Sequence, residues 1–202
     1  MIERLALQVY DLWRYGGAVM PGLFATAFVL WFALGERVLI LRRGDRRPLR
    51  ALVAARLNDP HRPGRGIVDE ATRRGVRLWL DRGGPVPRAR LDEAFGDLES
   101  ALTAGTTLVT CLIAMSPLLG LLGTVTGLIE TFGSLGQSST SSASEGIAGG
   151  IVEALYATQM GLAIAVPGLL MGGMLHHREQ KLAIELDELK ALLAGALAKV
   201  PT

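Results

Sequence analysis

Residues 100–129 read SALTAGTTLVTCLIAMSPLLGLLGTVTGLI and contain no charged side chain. A helix of about 30 residues is about 45 Å long at 1.5 Å per residue, whereas the hydrocarbon core of a bilayer is about 30 Å thick. This stretch therefore predicts a helix that crosses a membrane. Its excess length predicts that one end of the helix projects beyond the bilayer.

Two more stretches, residues 15–35 and 154–177, are almost as poor in charge. Half of the 202 residues are hydrophobic, which excludes a disordered chain and disfavours a water-soluble domain. Backbone polar groups in lipid must be satisfied within the spanning segment, and the alternating pattern of a membrane barrel is absent. We predict an all-α integral membrane protein with transmembrane helices at residues 17–41, 102–132 and 147–175. The long second and third helices are expected to extend into the cytoplasm.

The arginines predict the orientation of these helices. Residues 42–101 contain fourteen arginines and nine acidic residues, whereas residues 133–146 contain neither lysine nor arginine. Because cytoplasmic loops carry the excess of basic residues, residues 42–101 are predicted to form a basic cytoplasmic loop and residues 133–146 a periplasmic loop. The N-terminus is then periplasmic and the C-terminus cytoplasmic. Nucleic-acid binding by the basic loop is disfavoured, because the adjacent span already explains the arginines.

Three segments outside the spans carry helical signals. Residues 1–16 are predicted to form a periplasmic amphipathic helix, and the alternatives are an extension of the first span or a cleaved signal peptide. Breaks at residues 58–66 and 83–87 delimit helices over residues 67–80 and 88–100, the second leading directly into the second span. Residues 176–202 are predicted to form a cytoplasmic helical tail with an apolar stripe, made of Leu182, Leu186, Leu189, Leu193 and Val200.

Small residues recur at helical spacing in the second and third spans. Because lipid offers no hydrophobic driving force between helices, such residues are typical of close helix packing. We assign this role to Gly120, Gly123, Gly127, Gly161 and Ala165. Pro117 and Pro167 lie within the same spans and are expected to bend them.

Glu153 is the residue that packing alone does not explain. A carboxylate at membrane depth costs roughly 2.5–3.5 kcal/mol, and it usually faces a protein interior or a water-filled path. Thr158 borders the same broad helix face, and Thr124 in the second span is the natural third member. We predict that Thr124, Glu153 and Thr158 line a proton pathway or pore. The alternative is that the Glu153 side chain extends to the membrane–water interface on the outer side of the same membrane.

Other reactive side chains give no sign of an enzyme. Cys111 is the single cysteine, so an intrachain disulfide is excluded. His176 and His177 have no acidic or cysteine partner at metal-ligand spacing and are interpreted as interfacial, as is the Glu36–Arg37 pair at the end of the first span. No nucleotide-binding loop or catalytic triad is found. We therefore expect no enzymatic activity, no metal and no cofactor.

Residues 116–127, SPLLGLLGTVTG, and residues 150–167, GIVEALYATQMGLAIAVP, together resemble the ExbB/TolQ/MotA proton-channel family. The resemblance is closest to the ExbB/TolQ branch, because MotA proteins have four spans. The Glu36–Arg37 pair followed by arginines also resembles that branch. The chain departs from the family pattern at Gln159–Met160, where small residues are commoner, and at Thr126, which replaces a frequently bulky residue.

This resemblance implies a subunit of a proton-driven motor in the bacterial inner membrane. Such subunits are helical and form a homopentamer around a dimer of a single-span ExbD/TolR-like partner. The motor harnesses the proton motive force to energise a TonB/TolA-like protein for outer-membrane transport. By motif position, Thr124, Glu153 and Thr158 would line the lumen beside the partner, which carries the family's essential aspartate.

Three other functions are considered. A passive membrane scaffold would use the small-residue stripe only for packing and Glu153 only for hydrogen bonding. A TolQ-like subunit would maintain the cell envelope with the same architecture. A small-solute transporter is disfavoured, because three spans without an inverted repeat are few for an alternating-access site.

Overall fold

The structure is a computed structural model that describes residues 17–44, 47–59, 64, 66–135 and 140–196. Over these ranges the chain forms α-helices and a terminal π-helical turn, and no strand occurs in them. The predicted all-α fold is therefore confirmed. The elements are α1 (Met20–Ile40), α2 (Leu49–Asn58), α3 (Ile67–Arg82), α4 (Arg88–Thr103), α5 (Thr106–Leu135), α6 (Thr140–Ala191) and the turn Leu192–Ala196.

Three helical stretches are long and apolar enough to cross a membrane, as predicted. They are Met20–Ile40, the run Arg88–Gly133, and Ile147–Gly195. These stretches expose large apolar side chains at their surface: Phe28 is 75% exposed, Phe132 is 69% exposed and Leu170 is 67% exposed. Apolar surface on this scale is rare on soluble monomers and indicates contact with lipid or with other helices.

The chain divides into two compact units. The span unit comprises residues 1–34 and 107–172, and the loop unit comprises residues 35–106 and 173–202. The core of the span unit is built from the three apolar helices and includes Met20, Leu23, Leu30, Ile113, Ala157 and Ile164. The core of the loop unit includes Val68, Leu91, Phe95, Leu186, Leu189 and Leu193.

Helices α2, α3 and α4 form the basic loop. Helix α3 ends at Gly83, whose φ of 69° is left-handed and whose N–H donates to the carbonyl of Leu80. Glycine suits this cap because it adopts that conformation without steric cost. The predicted helices at residues 67–80 and 88–100 correspond to α3 and α4. Helix α2 was not predicted, because its ten residues show no clear apolar periodicity.

The structure differs from the prediction at the start of the second span. The helix over residues 88–100 was expected to continue directly into the span, but the chain turns at Ala104–Gly105 between α4 and α5. Gly105 has a φ of 76°, which an ordinary side chain rarely adopts. A single glycine in an apolar run is tolerated in many helices, so this break has a weak sequence signal.

The connection between the second and third spans is also shorter than predicted. A loop was expected over residues 133–146, but α5 continues to Leu135 and α6 already begins at Thr140. Serine and glycine are only modestly unfavourable in helices, and extending a formed helix needs no new nucleus. The long neighbouring helices therefore override the local composition. Residues 136–139 lie outside the described ranges.

The tail extends the third span, and α6 runs for 52 residues. Leu182, Leu186 and Leu189 are at most 4% exposed, so the apolar stripe of the tail is buried in the loop unit. The carbonyl of Leu193 accepts a hydrogen bond from the N–H of Val86 at 3.1 Å, which fixes the end of the tail to the α3–α4 connection. Val200 and the predicted amphipathic helix of residues 1–16 lie outside the described residues.

Candidate functional site

The α5–α6 interface in the span unit is built on glycine. A Cβ atom on Gly120 would lie 3.0 Å from the carbonyl oxygen of Ala157, and one on Gly127 would lie 2.6 Å from the carbonyl oxygen of Gly150. A Cβ on Gly161 would lie 2.7 Å from the carbonyl oxygen of Ser116. These distances are shorter than any ordinary contact. The two backbones thus approach each other along a face that larger side chains would force apart.

The other two predicted packing residues lie in the same unit. A Cβ atom on Gly123 would collide with the methyl group of Ala157. Ala165 is 2% exposed and therefore belongs to the core of the span unit. Gly168, another small residue of α6, faces Leu30 of α1 and Ile113 of α5. The small residues of α6 therefore face α1 as well as α5.

Glu153 is half-buried and contacts the start of α1. Its carboxylate lies within reach of the backbone N–H of Ala18, two residues before α1 begins at Met20. It also fills the space beside Gly17, where a Cβ atom would overlap it. Unpaired N–H groups and the positive end of the helix dipole both favour a carboxylate at a helix N-terminus. Glu153 is thus held by backbone groups rather than extended toward solvent.

The second partner of Glu153 is Glu130, which sequence analysis missed. The Glu130 carboxyl group on α5 lies close to the Glu153 carboxyl group on α6. Two neighbouring carboxyl groups can share a hydrogen bond only when one of them carries a proton, because an ionised carboxylate is an acceptor alone. The pair is therefore a candidate proton-binding site between two spans.

A sequence signal for Glu130 existed. The charge-free run ends at residue 129, but the predicted span of residues 102–132 includes Glu130 near its end, and α5 continues to Leu135. Gly127 lies against Gly150 and Ala154, and Glu130 follows Gly127 by one helical turn. The antiparallel register in which Gly127 lies against Gly150 and Ala154 places residue 130 beside residues 147–151, from which two long glutamate side chains can bring the carboxyl groups of residues 130 and 153 together.

The predicted threonines do not contact Glu153 directly. The Thr124 hydroxyl donates to the carbonyl of Leu121 at 2.7 Å, and the Thr158 hydroxyl donates to the carbonyl of Ala154 at 3.1 Å. No hydrogen bond within the described ranges joins Thr124, Glu153 and Thr158 to one another. Both hydroxyl oxygens keep free lone pairs that can accept a hydrogen bond from water or from a partner helix.

A buried ion pair in the loop unit connects residues of four helices, α1, α4, α5 and α6. Arg37 is 5% exposed and donates to Glu179 at 2.9 Å and to the carbonyl of Leu102 at 3.0 Å. Thr106 accepts from Arg37 and donates to the same carboxylate at 3.2 Å. Of the Glu36–Arg37 pair, which was interpreted as an interfacial anchor, Glu36 is exposed, whereas Arg37 is buried by its partners.

His176 lies near this cluster, with its Nδ1 atom 3.5 Å from Glu179. The sequence analysis assigned no acidic partner to His176, whereas Glu179 follows it by three residues on α6 and lies near it. The His176 side chain is 56% exposed. No group of three or more potential metal ligands occurs in the part of the chain that the structure describes.

Several arginines of the basic loop are paired within the loop unit. Arg56 and Asp69 are both buried and lie 2.5 Å apart. Arg74 binds Glu70 at 3.0 Å and Asp97 at 2.7 Å, and Arg73 binds Glu70 as well. The hydrogen bond from Arg73 lowers the pKa of Glu70 below its ordinary value, and the hydrogen bond from Arg74 does the same to the pKa of Asp97. This pairing gives the arginines a structural role.

Lys190 connects the tail of α6 to α4. It contacts Asp92 at 2.5 Å and Glu99 at 2.6 Å, and its side chain is 8% exposed. Burial lowers the pKa of Lys190, but the hydrogen bonds to Asp92 and Glu99 outweigh it and leave the pKa above its ordinary value. The lysine therefore stays charged and fixes the tail against the loop.

Comparison with known proteins gives relatives of one kind. The chain is 48% identical over 69 residues to the putative biopolymer transport protein ExbB-like 3 of Synechocystis sp., covering 34% of this chain and 33% of that protein. It is 46% identical over 66 residues to the biopolymer transport protein exbB1 of Vibrio cholerae, covering 33% and 29%. It is 37% identical over 83 residues to the biopolymer transport protein ExbB of Neisseria gonorrhoeae, covering 41% and 37%. The chain thus spans about a third of the length of these relatives.

The family comparison covers more of the chain. The sequence profile of the MotA/TolQ/ExbB proton channel family matches residues 65–188, which include α3 to α5 and most of α6. This range contains the glycine interface, the Glu130–Glu153 pair and both threonines. The relatives named ExbB agree with the branch that the motifs of α5 and α6 resemble. The chain is a member of the MotA/TolQ/ExbB proton channel family.

Proposed function

We propose that this chain is an ExbB-like subunit of a proton-driven motor in the bacterial inner membrane. With a single-span ExbD/TolR-like partner, it harnesses the proton motive force to energise a TonB/TolA-like protein for outer-membrane transport. One observation carries the proposal. Two spans of a proton-channel family member bring the carboxyl groups of Glu130 and Glu153 close together.

The proposed mechanism begins with the proton between these carboxyl groups. A proton that enters from the periplasm binds the pair, and its departure leaves two negative charges that repel each other at short range. Thr124 and Thr158 supply hydroxyl oxygens that orient water along the neighbouring turns. One charge that moves through 100 mV releases about 2.3 kcal/mol, so a few protons drive a sizeable movement of the partner.

The same proposal includes a homo-oligomer, five-fold by family resemblance. The exposed apolar side chains of α5 and α6 are expected to be buried against other helices. A protomer with three spans has too few helices to bury them. Leu121, Val125 and Phe132 lie on α5 and are all at least 49% exposed. A ring buries part of this surface between protomers and leaves a lumen for the partner.

A passive scaffold remains the second candidate, and one contact favours it. Glu153 accepts the N–H of Ala18 and thereby caps the start of α1, which is a structural role without proton transfer. The two functions differ in what they need from the carboxyl group. Capping needs an acceptor oxygen, whereas proton transfer needs a group that titrates.

Glu153→Gln separates the two functions. The glutamine carbonyl still accepts from Ala18, and its amide still donates to Glu130, while titration is lost. The variant is reconstituted with its single-span partner in liposomes, and the proton flux driven by a membrane potential is measured. We expect an assembled oligomer whose flux is lower by about a hundredfold or more, because positioned proton-transfer groups contribute about that much.

The matched control is Glu188→Gln, which removes an exposed carboxylate from the same helix. Its flux should equal that of the unchanged protein. Glu130→Gln should reduce the flux like Glu153→Gln. Full flux in both single variants would favour the scaffold and refute proton transfer at this pair.

A further inference from the structure

A groove in the loop unit lies between the end of α1 and the middle of α6. It encloses about 500 Å³ and is bordered by the residues that follow α1 and by the turns of α6 after the apolar run. Val38, Leu41 and Leu182 line it, and Leu41 and Leu182 are buried. These three side chains are called the apolar wall of the groove. Part of the lining is therefore hydrocarbon.

The rest of the lining is mainly cationic. Arg42, Arg43, Arg178 and Lys181 line it together with a single carboxylate, Glu185, which gives a net charge of +3. Arg43 binds Glu185 at 2.6 Å and thereby occupies that carboxylate. Arg42, Arg178 and Lys181 make no ion pair within the part of the chain that the structure describes. Three like charges around one groove attract an anion.

The combination of apolar and cationic lining residues selects the kind of anion that the groove can bind. A free phosphate ion gains from the cations but gains nothing from Val38, Leu41 and Leu182. A phospholipid places its phosphate against the cations and the first part of its acyl chains against the apolar wall. Guanidinium groups match phosphate oxygens in pairs, and basic pockets at the ends of transmembrane helices bind lipid head groups.

We propose that this groove binds the head group of an anionic phospholipid through Arg42, Arg178 and Lys181. The position of the groove agrees with this assignment, because it begins where the apolar sequence of α1 ends. The Arg43–Glu185 ion pair holds the end of α1 against α6 and so keeps the groove open at a fixed width. Lipid binding here requires no proton transfer, so its test is independent of the proposed function.

Native mass spectrometry of the full-length oligomer in mild detergent tests the proposal. The protein is titrated with phosphatidylglycerol, with phosphatidylcholine of the same acyl chains, and with phosphatidylglycerol in the presence of millimolar inorganic phosphate. We expect phosphatidylglycerol to bind at least about tenfold more tightly than phosphatidylcholine. Inorganic phosphate should not displace it, because the ion lacks acyl chains.

The variant Arg178→Gln/Lys181→Gln removes two of the three unpaired cations and should weaken phosphatidylglycerol binding by about tenfold to thirtyfold. The matched control is Arg77→Gln/Arg82→Gln, which removes two exposed arginines of α3 outside the groove. The same spectra report the oligomeric state of each variant. Equal losses in both double variants, equal affinity for the two lipids, or displacement by inorganic phosphate would each overturn the proposal.

Discussion

At the scale of single residues, the shape of the α5–α6 interface decides which glycines are replaceable. Gly127 lies against the backbone of Gly150, whereas a Cβ atom on Gly133 of the same helix would meet nothing within 4 Å. Both residues are helical, so both pay the same entropic cost relative to alanine. Replacement by alanine therefore has opposite consequences at the two positions.

We expect Gly127→Ala to destabilise the protein by about 1–3 kcal/mol, since its methyl group forces two backbones apart. Gly133→Ala should be neutral or stabilising by up to about 1 kcal/mol, since alanine favours the helix. Thermal unfolding of the detergent-solubilised protein measures both. A stabilised Gly127→Ala variant would contradict the close approach of α5 and α6.

Arg37 is the second residue whose surroundings predict an effect. Replacing Arg37 by Met leaves Glu179 buried without its cation, and such a loss costs about 3–5 kcal/mol. Adding Glu179→Leu should recover part of the stability, because the unpaired charge is then removed as well. Glu36→Gln, at the exposed neighbour, should change stability by less than about 0.5 kcal/mol. Strictly additive losses in a double-mutant cycle of thermal stabilities would show that Arg37 and Glu179 do not interact.

Glu130 marks the limit of residue-level prediction. Glu153 is conspicuous because apolar residues surround it in the sequence, whereas Glu130 lies near the end of a span, where a carboxylate usually meets water. Its pairing depends on the register of α5 against α6, which three glycines fix. The packing residues could be proposed from their spacing, but a contact between side chains 23 positions apart needed the structure.

At the scale of elements, the long apolar helices could be predicted from the sequence, whereas the short helix α2 and the turn between α4 and α5 could not. The three spanning helices were recognisable because lipid excludes charge over about 20 residues. Helix α2 and the turn at Ala104–Gly105 depend on contacts with neighbouring helices, which leave little trace in local composition. The opposite error occurs at residues 133–146, where a loop was predicted but most residues are helical. Their serines and glycines extend neighbouring helices that are already formed.

The ion pairs of Glu70 within α3 predict a dependence of stability on pH. Hydrogen bonds from Arg73 and Arg74 lower the pKa of Glu70 below its ordinary value of 4.5. Because the folded pKa is the lower one, the stabilisation is complete above pH 4.5 and is lost as the pH falls through the folded pKa. The melting temperature of Glu70→Gln should therefore lie below that of the unchanged protein at pH 7, and the difference should vanish in strong acid.

Glu93→Gln is the control for this dependence. Glu93 is 74% exposed and lies 3.6 Å from Arg90, a separation at which exposed pairs contribute little. Its melting temperature should follow that of the unchanged protein at every pH. A difference between Glu70→Gln and the unchanged protein that persists unaltered into strong acid would exclude the ion pairs as its cause.

At the scale of the whole molecule, the distribution of arginine predicts the orientation in the membrane. A reporter inserted at Gly84, between α3 and α4, should give a cytoplasmic signal. A reporter inserted within residues 136–139 should give a periplasmic signal, because that connection lacks basic residues. Paired alkaline phosphatase and green fluorescent protein fusions measure this. The reverse pattern would invert the proposed direction of proton flow.

The contacts of Arg37 also have a consequence for biosynthesis. Its carboxylate partner, Glu179, is 142 residues further along the chain, and its carbonyl partner, Leu102, is 65 residues further. At about 5–20 residues per second, Glu179 leaves the ribosome about 7 to 28 s after Arg37. During this interval the guanidinium must stay in water, which keeps the end of the first span at the membrane surface. The third span thus completes the insertion of the first.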